Sequence, residues 1–309
     1  MSAPQAEEKR VALIHSYHTD FLWVKQYTQG LKDTLVDVSL LEFSMDTKRL
    51  PKELFHQRAQ LAYDFVIEQN AELVVLADDN ALRLLGSRLL KQQIPIVFLG
   101  INANPRRYVP LTNNVSGVLE RPLMKRSIAM IKAVIPQVRK VKILMSDSVS
   151  SREIVKTSLG NRLSHSIGNI QVDTVISSTF SHWQQSTKGS QEQGYDAIIL
   201  ATYATLKNEV NNTLTVDYVT KWTSKNSPVP VFSFWSFSVG QGKAIGGLTI
   251  SGQEQGVEAA KKVNLFYAGK QRPPITTPHR GSFIFSHAEL RRWQLSLPPR
   301  LFKKAKFIE

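Results

Sequence analysis

Residues 73–85 read "LVVLADDNALRLL". An apolar run of strand length stops, Asp78, Asp79 and Asn80 follow at once, and apolar residues then recur at helical spacing. A strand that is apolar on both faces belongs in a parallel sheet covered by helices on each side. The three polar residues then stand at the carboxyl end of a buried strand. Asp79 or Asn80 can serve there as a helix cap. Capping does not use all three, and in open α/β sheets the carboxyl ends of strands are where ligands sit.

The same strand–helix alternation runs outward in both directions. "RVALIH" (10–15) reads as a strand, and 19–35 as a helix with Thr19 or Asp20 as its cap. "VDVSLLEF" (36–43) reads as a strand. Residues 52–69 read as a helix with Leu54, Leu61, Ala62, Phe65 and Val66 on one face. The helix from Asn80 to Lys91 leads to the strand "IPIVFLGIN" (94–102). A second series follows: a helix over 123–135, a strand at 141–146, a helix over 150–166, and strands at 170–177, 195–202 and 229–234. Residues 271–285 read as a further extended crossing. Two α/β halves of similar design are expected, with no linker of low complexity between them.

Composition sets bounds on function. The chain has 309 residues, 42% hydrophobic and 21% charged, which suits two globular domains. No apolar run approaches the roughly 20 residues of a membrane helix. The opening "MSAPQAEEKR" reads either as an initiator methionine before a mature N-terminus whose export signal has been removed or as a natural cytosolic start. With no cysteine, disulfides, thiol catalysis and thiolate metal sites are excluded. The net charge of +14 arises after residue 118: the first 118 residues hold 13 basic and 13 acidic side chains, the rest 26 and 12. The basic residues are scattered and carry no nucleic-acid-binding signature, so a solvated or lipid-facing surface is expected and no nucleic acid.

The polar clusters fall at strand ends. "HSYHTD" (15–20) supplies His15 and Tyr17, with Trp23 just beyond; "NANPRRY" (102–108) supplies Asn102. In the second half, "SDSVSS" (146–151) supplies Asp147, Ser148 and Ser151, "TYAT" (202–205) supplies Tyr203, and "SFWSFS" (233–238) supplies Trp235 and Ser236. Each has a structural reading beside the ligand-binding one: Ser and Asp are ordinary turn residues, and Trp23 and Trp235 suit core packing as well as an aromatic wall. His15 and His18 alone make too sparse a set for a metal, and none is expected. No Walker loop, GxGxxG, GxSxG or HExxH occurs, and neither catalysis nor a cofactor is expected; the alternative is an enzyme acting on a small metabolite in a cleft between the two halves.

Several segments together resemble the ABC-transporter substrate-binding-like family of type I periplasmic binding proteins, in particular its sensor-domain branch. They are "IHSYHTDFLW" (14–23), "SMDTKRLP" (44–51), "LADDNAL" (76–82), "IPIVFLGIN" (94–102), "NVSGVLERPLMKRSIAMIKAVIP" (114–136) and "GSFIFSHAELRRWQLSLP" (281–298). The resemblance implies two Rossmann-like lobes with parallel sheets, joined by three crossovers and closing around a small molecule. It places the first lobe at 1–118 plus 250–275 and the second at 119–249 plus 276–309. It makes Glu120 in "GVLERP" and Thr249 in "GGLTIS" hinge residues, with the third crossing near 276–282. The ending "KAKFIE" suits a free-standing, monomeric periplasmic protein that serves a transporter permease or a membrane sensor. A carboxylate beside helix N-termini suits a zwitterion such as an amino acid, or a similar polar metabolite.

Overall fold

The computed structural model describes residues 9–269, 273–277 and 281–309. The first elements in chain order are β1 (Lys9–His15), α1 (Leu22–Lys32), β2 (Val38–Ser44), a 3-10 turn at Lys52–Leu54, α2 (Phe55–Glu68), β3 (Leu73–Ala77), α3 (Asp78–Lys91), β4 (Ile96–Ile101) and β5 (Val115–Leu119). Then come α4 (Met124–Val134), β6 (Lys140–Ser146), α5 (Val149–Ser158), β7 (Ser164–Ile167), β8 (Ile170–Ser177), α6 (Phe180–Lys188), β9 (Ala197–Leu200), α7 (Val216–Asn226), β10 (Val231–Ser233) and β11 (Gly246–Thr249). The chain continues through α8 (Gly252–Tyr267), β12 (Ser282–Ser286), α9 (His287–Arg292), α10 (Pro299–Phe302) and β13 (Lys306–Ile308).

These elements form two compact units, dividing after residues 120, 251 and 278. The sequence expectation placed the breaks after 118, 249 and 275. The expected crossing near 276–282 includes residues 278–280, and the expected mature start includes residues 1–8. Both stretches lie outside the described residues.

In unit 1 the sheet runs β2-β1-β3-β4-β5, with every neighbouring pair parallel. β3 and β4 are buried along their whole length, as the apolar runs require. α8 returns to this unit and packs on α1 at backbone distance. A Cβ on Gly256 would stand 2.0 Å from Tyr27 O, and one on Gly30 would stand 2.3 Å from Gln253 O. Glycine at both positions is what allows the approach.

In unit 2 the main sheet runs β10-β9-β6-β8-β7, parallel except for the β7–β8 hairpin. A smaller sheet, β11-β12-β13, stands beside it, with β11 antiparallel and β13 parallel to β12.

Three local expectations are corrected. The helix expected over 150–166 ends at Ser158, because Gly160 and Asn161 take left-handed backbones and release the chain into β7. In α2 the buried face is Phe55, Ala59, Ala62 and Val66; Leu54 and Leu61 are exposed, since adjacent residues lie about 100° apart around a helix. Helix α1 begins after Phe21 without a side-chain cap, so neither Thr19 nor Asp20 plays that part.

Gly256→Ala is expected to lower stability by roughly 1–3 kcal/mol, the scale of an overpacked contact. Denaturant melts of the wild type and the variant measure this, and an unchanged midpoint contradicts the close α1–α8 approach.

Candidate functional site

The turn from β3 into α3 has no connecting loop. Ala77 ends the strand and Asp78 begins the helix, with Asp78 in a left-handed backbone (φ 68°) that reverses the chain in one residue. Asp tolerates this conformation better than most side chains. The expected caps do not act: neither Asp79 nor Asn80 caps α3. Ser16, just beyond β1, does so from the neighbouring strand. Its hydroxyl donates to Ala77 O (2.6 Å) and accepts from Ala81 N–H (2.8 Å). Sequence spacing cannot reveal a cap that comes from 65 residues away.

Asp79 is buried and both its oxygens are engaged. Oδ2 accepts from Asn102 N–H (3.1 Å) and Oδ1 from Ala103 N–H (3.0 Å), tying α3 to the end of β4. Asn80 donates to Thr47 Oγ1 (2.9 Å) and accepts from Arg83 (3.2 Å). Asp78 faces Gly100, whose left-handed backbone (φ 69°) and missing side chain leave the room: a Cβ there would stand 3.0 Å from Asp78 Oδ1 and 3.5 Å from Glu120 Oε2. Asp78 and Glu120 thus approach the same spot from the ends of β3 and β5. Burial pushes both carboxyls above their usual range, and the Lys48 ammonium opposes the shift in each. A hydrogen bond from Asn102 also favours the charged form of Glu120. Lys48 itself is pushed down by burial and held up by the charges of Asp78 and Glu120.

Around this set, Tyr17 and Phe21 are buried and meet edge to face, and Trp23 lies buried in α1, edge-on to Tyr27. His15 is fully buried and belongs to a separate relay. Glu42 Oε2 lies 3.2 Å from His15 Nε2, so Nε2–H donates to the carboxylate and Nδ1 accepts the Tyr27 hydroxyl at 2.7 Å. His15 foremost, with Lys32 at 2.7 Å from the other oxygen, holds the Glu42 carboxyl down at about 2. His18 lies 3.5 Å from Asp46 instead of beside His15. Among the described residues, no group of three or more His, Asp or Glu side chains is placed to hold a metal.

In unit 2 the strand-end hydroxyls largely satisfy one another. Ser148 caps α5 through Ser151 N–H (3.1 Å), and the Ser151 hydroxyl donates to Ser146 O (2.6 Å) and contacts Thr202 Oγ1. Asp147 receives the Arg152 guanidinium through two bonds of 2.8 Å. The Tyr203 hydroxyl lies between Thr220 (2.6 Å) and Ser238. Trp235 is buried, with its indole N–H on Ala201 O (2.6 Å). The Ser236 hydroxyl is buried without a hydrogen-bond partner among the described residues. Thr249 is buried and donates to Ser282 O (3.0 Å). Glu120 follows β5 and joins the acidic pair described above.

The strand ends of unit 1 therefore hold Tyr17, Asp78, Asp79, Asn80, Asn102 and Glu120, with His15 in its own relay and Trp23 buried against Tyr27; those of unit 2 hold Asp147, Ser148, Ser151, Tyr203, Trp235 and Ser236. Sequence reading missed Ser16, Lys48 and Gly100. For Lys48 the signal was its position just after β2, another strand end of the same sheet. A hollow of about 630 Å³ lined by Ser87, Lys91, Pro110 and Asn114 lies at the opposite edge of unit 1, where β4 and β5 begin.

Two outcomes test this assignment. The unfolded Glu42 carboxyl titrates near 4.5 and the folded one at about 2, so the relay's stabilisation is complete above pH 4.5 and is lost as pH falls toward 2. Thermal melts across that range are expected to drop more steeply for the wild type than for Glu42→Gln; parallel curves contradict the relay. Asp79→Ala is expected to cost about 1.5–3 kcal/mol of stability, the scale of hydrogen bonds to a charged group. Asp78→Ala, by contrast, removes a carboxylate that burial disfavours and costs stability less. Equal losses in chemical denaturation contradict this division of labour.

Comparison with known proteins places the fold. The family described as ABC transporter substrate binding protein matches residues 24–306. No match was found among curated proteins. A conserved domain protein from Vibrio cholerae superimposes with a TM-score of 0.71 at 17% identity, covering 98% of this chain and 100% of the other. The ABC domain from Streptococcus pneumonia in complex with L-Trp gives 0.68 at 16% identity, with the same coverage of 98% and 100%. A 5-methylthioribose transporter solute binding protein from Thermotoga lettingae gives 0.58 at 11% identity, covering 90% and 86%. These likenesses agree with two Rossmann-like α/β units of the type I periplasmic binding protein fold. With the family match extending over nearly the whole length, the chain belongs to the ABC transporter substrate-binding protein family.

Proposed function

We propose that the chain is a periplasmic solute-binding protein that acts as a monomer, closes around a small polar metabolite of the amino-acid class, and presents it to an ABC transporter permease or a membrane sensor. The observation that carries this reading is the convergence of Asp78 and Glu120 over Gly100 at the carboxyl edge of the unit 1 sheet. Two buried carboxylates brought together in a folded core cost stability unless something offsets their desolvation. A cationic group of a ligand does so, and it turns that cost into binding free energy.

The structural neighbours do not choose the ligand. One is described in complex with L-Trp and another with 5-methylthioribose, so the same fold accepts an amino acid and a sugar derivative. The choice rests on the side chains of this chain. In unit 1 these are predominantly acidic, with aromatic rings beside them, which suits an amine-bearing solute.

Native mass spectrometry of gently purified protein is expected to show a retained small molecule carrying an amine. Adding that compound back to stripped protein is expected to raise the melting temperature and reduce the radius of gyration in solution scattering. Unchanged scattering with a verified ligand contradicts closure. Failure of any small solute to bind contradicts the function.

A further inference from the structure

Lys48 lies in the segment that follows β2 and is partly buried. Its ammonium sits 3.8 Å from the centre of the Tyr17 ring and 4.1 Å from that of Phe21. Among the described residues it forms no hydrogen bond and no salt bridge. Neighbouring charges in the segment are already matched: Asp46 takes Arg49 (2.6 Å) and lies 3.5 Å from His18. The two rings fix where the cation stands and leave its N–H donors available to an acceptor.

The acids that face Lys48 are Asp78 and Glu120, which act on it through space without pairing with it. Asp78 is 2% exposed, and its Oδ2 has no hydrogen-bond partner among the described residues. Asp79 and Asn80, next in sequence, are consumed by backbone amides and by Thr47. The edge of unit 1 therefore holds a seated cation with open donors and a buried carboxylate oxygen with an open acceptor site, and the two do not satisfy each other. A simple amine bound here leaves the Lys48 donors unmet. A simple acid leaves Asp78 Oδ2 unmet and sets its own charge beside two carboxyls. A molecule carrying both groups a few bonds apart meets both.

Resting on the solute-binding reading above, we propose that Lys48 and Asp78 form a split-charge subsite for an amino-acid zwitterion, with the Lys48 ammonium receiving the ligand carboxylate and Asp78 receiving the ligand ammonium. Lys48 is then a specificity-determining residue: it separates amino acids from amines. The aromatic seat of Tyr17 and Phe21 keeps it from collapsing onto Asp78 when the site is empty.

The test screens the standard L-amino acids against stripped protein by thermal shift. The best one is then titrated calorimetrically beside its decarboxylated amine and its deaminated acid, against wild type, Lys48→Met and Lys48→Arg. In the wild type the amino acid is expected to bind about tenfold or more tightly than either analogue, as befits a charge-assisted hydrogen bond. Lys48→Met is expected to lose that margin for the amino acid and to leave the amine within about twofold, because the amine never used Lys48. Lys48→Arg, which keeps the charge and stacks on aromatic rings, is expected to retain the preference. If Lys48→Met does not fold, the wild-type comparison of amino acid and amine decides.

Equal binding of the amino acid and its amine in the wild type overturns the inference, and so does undiminished binding of the amino acid to folded Lys48→Met. Binding of sugars or nucleosides in place of every amino acid overturns it too, while leaving the solute-binding reading intact. Binding of no solute at all overturns both.

Discussion

The single-residue reversal at Asp78 is the constraint from which the rest of unit 1 follows. At this turn the strand passes straight into the helix through a left-handed Asp78, and placing a non-glycine there costs on the order of 1–3 kcal/mol. Two neighbours offset that cost. The Ser16 hydroxyl bridges the two sides of the turn, worth about 0.5–2 kcal/mol as a cap. Asp79 receives two backbone amides from the end of β4, on the scale of about 1.5–3 kcal/mol for bonds to a charged group. The turn is thus held by groups from β1 and β4 on either side, and Asp78 is left over, buried and aimed at the gap that Gly100 leaves.

That surplus distinguishes the two units. Unit 1 spends some acids on structure, namely Glu42 on His15 and Lys32, Asp46 on Arg49, and Asp79 on backbone amides. It keeps Asp78 and Glu120 close together in low-dielectric surroundings, where burial works against their charge. Unit 2 presents mainly hydroxyls, and Ser146, Ser148, Ser151, Thr202 and Thr205 hydrogen-bond within one cluster. In the solute-binding reading proposed above, electrostatic recognition of a charged solute falls to Lys48, Asp78 and Glu120 of unit 1.

Legibility in the sequence followed the range of the interactions involved. The parallel sheets were readable because whole strands are apolar, a property each segment carries by itself. The β7–β8 hairpin was not, because Ser164–Ile167 is a short edge strand, largely exposed and without an apolar period. The capping role assigned to Asp79 or Asn80 was reasonable locally and failed for a non-local reason: a serine on the adjacent strand had already filled it. Lys48 was passed over because nothing in "SMDTKRLP" distinguishes one basic residue from the other. Only the rings of Tyr17 and Phe21, about thirty residues away in sequence, set it apart.

The sequence by itself determined the α/β class, the alternation of elements, the absence of cysteine chemistry, and the placement of polar residues at strand ends. Those properties depend on composition and on periodicity within a few residues. The tertiary structure alone decided which of those polar residues are spent and which remain. Whether Asp78 or Asp79 finds a partner depends on where Gly100, Asn102 and Ala103 arrive at the end of β4. Hydrogen bonds and ion pairs form between groups close in space, and in a parallel sheet the groups at one edge come from segments that are far apart along the chain.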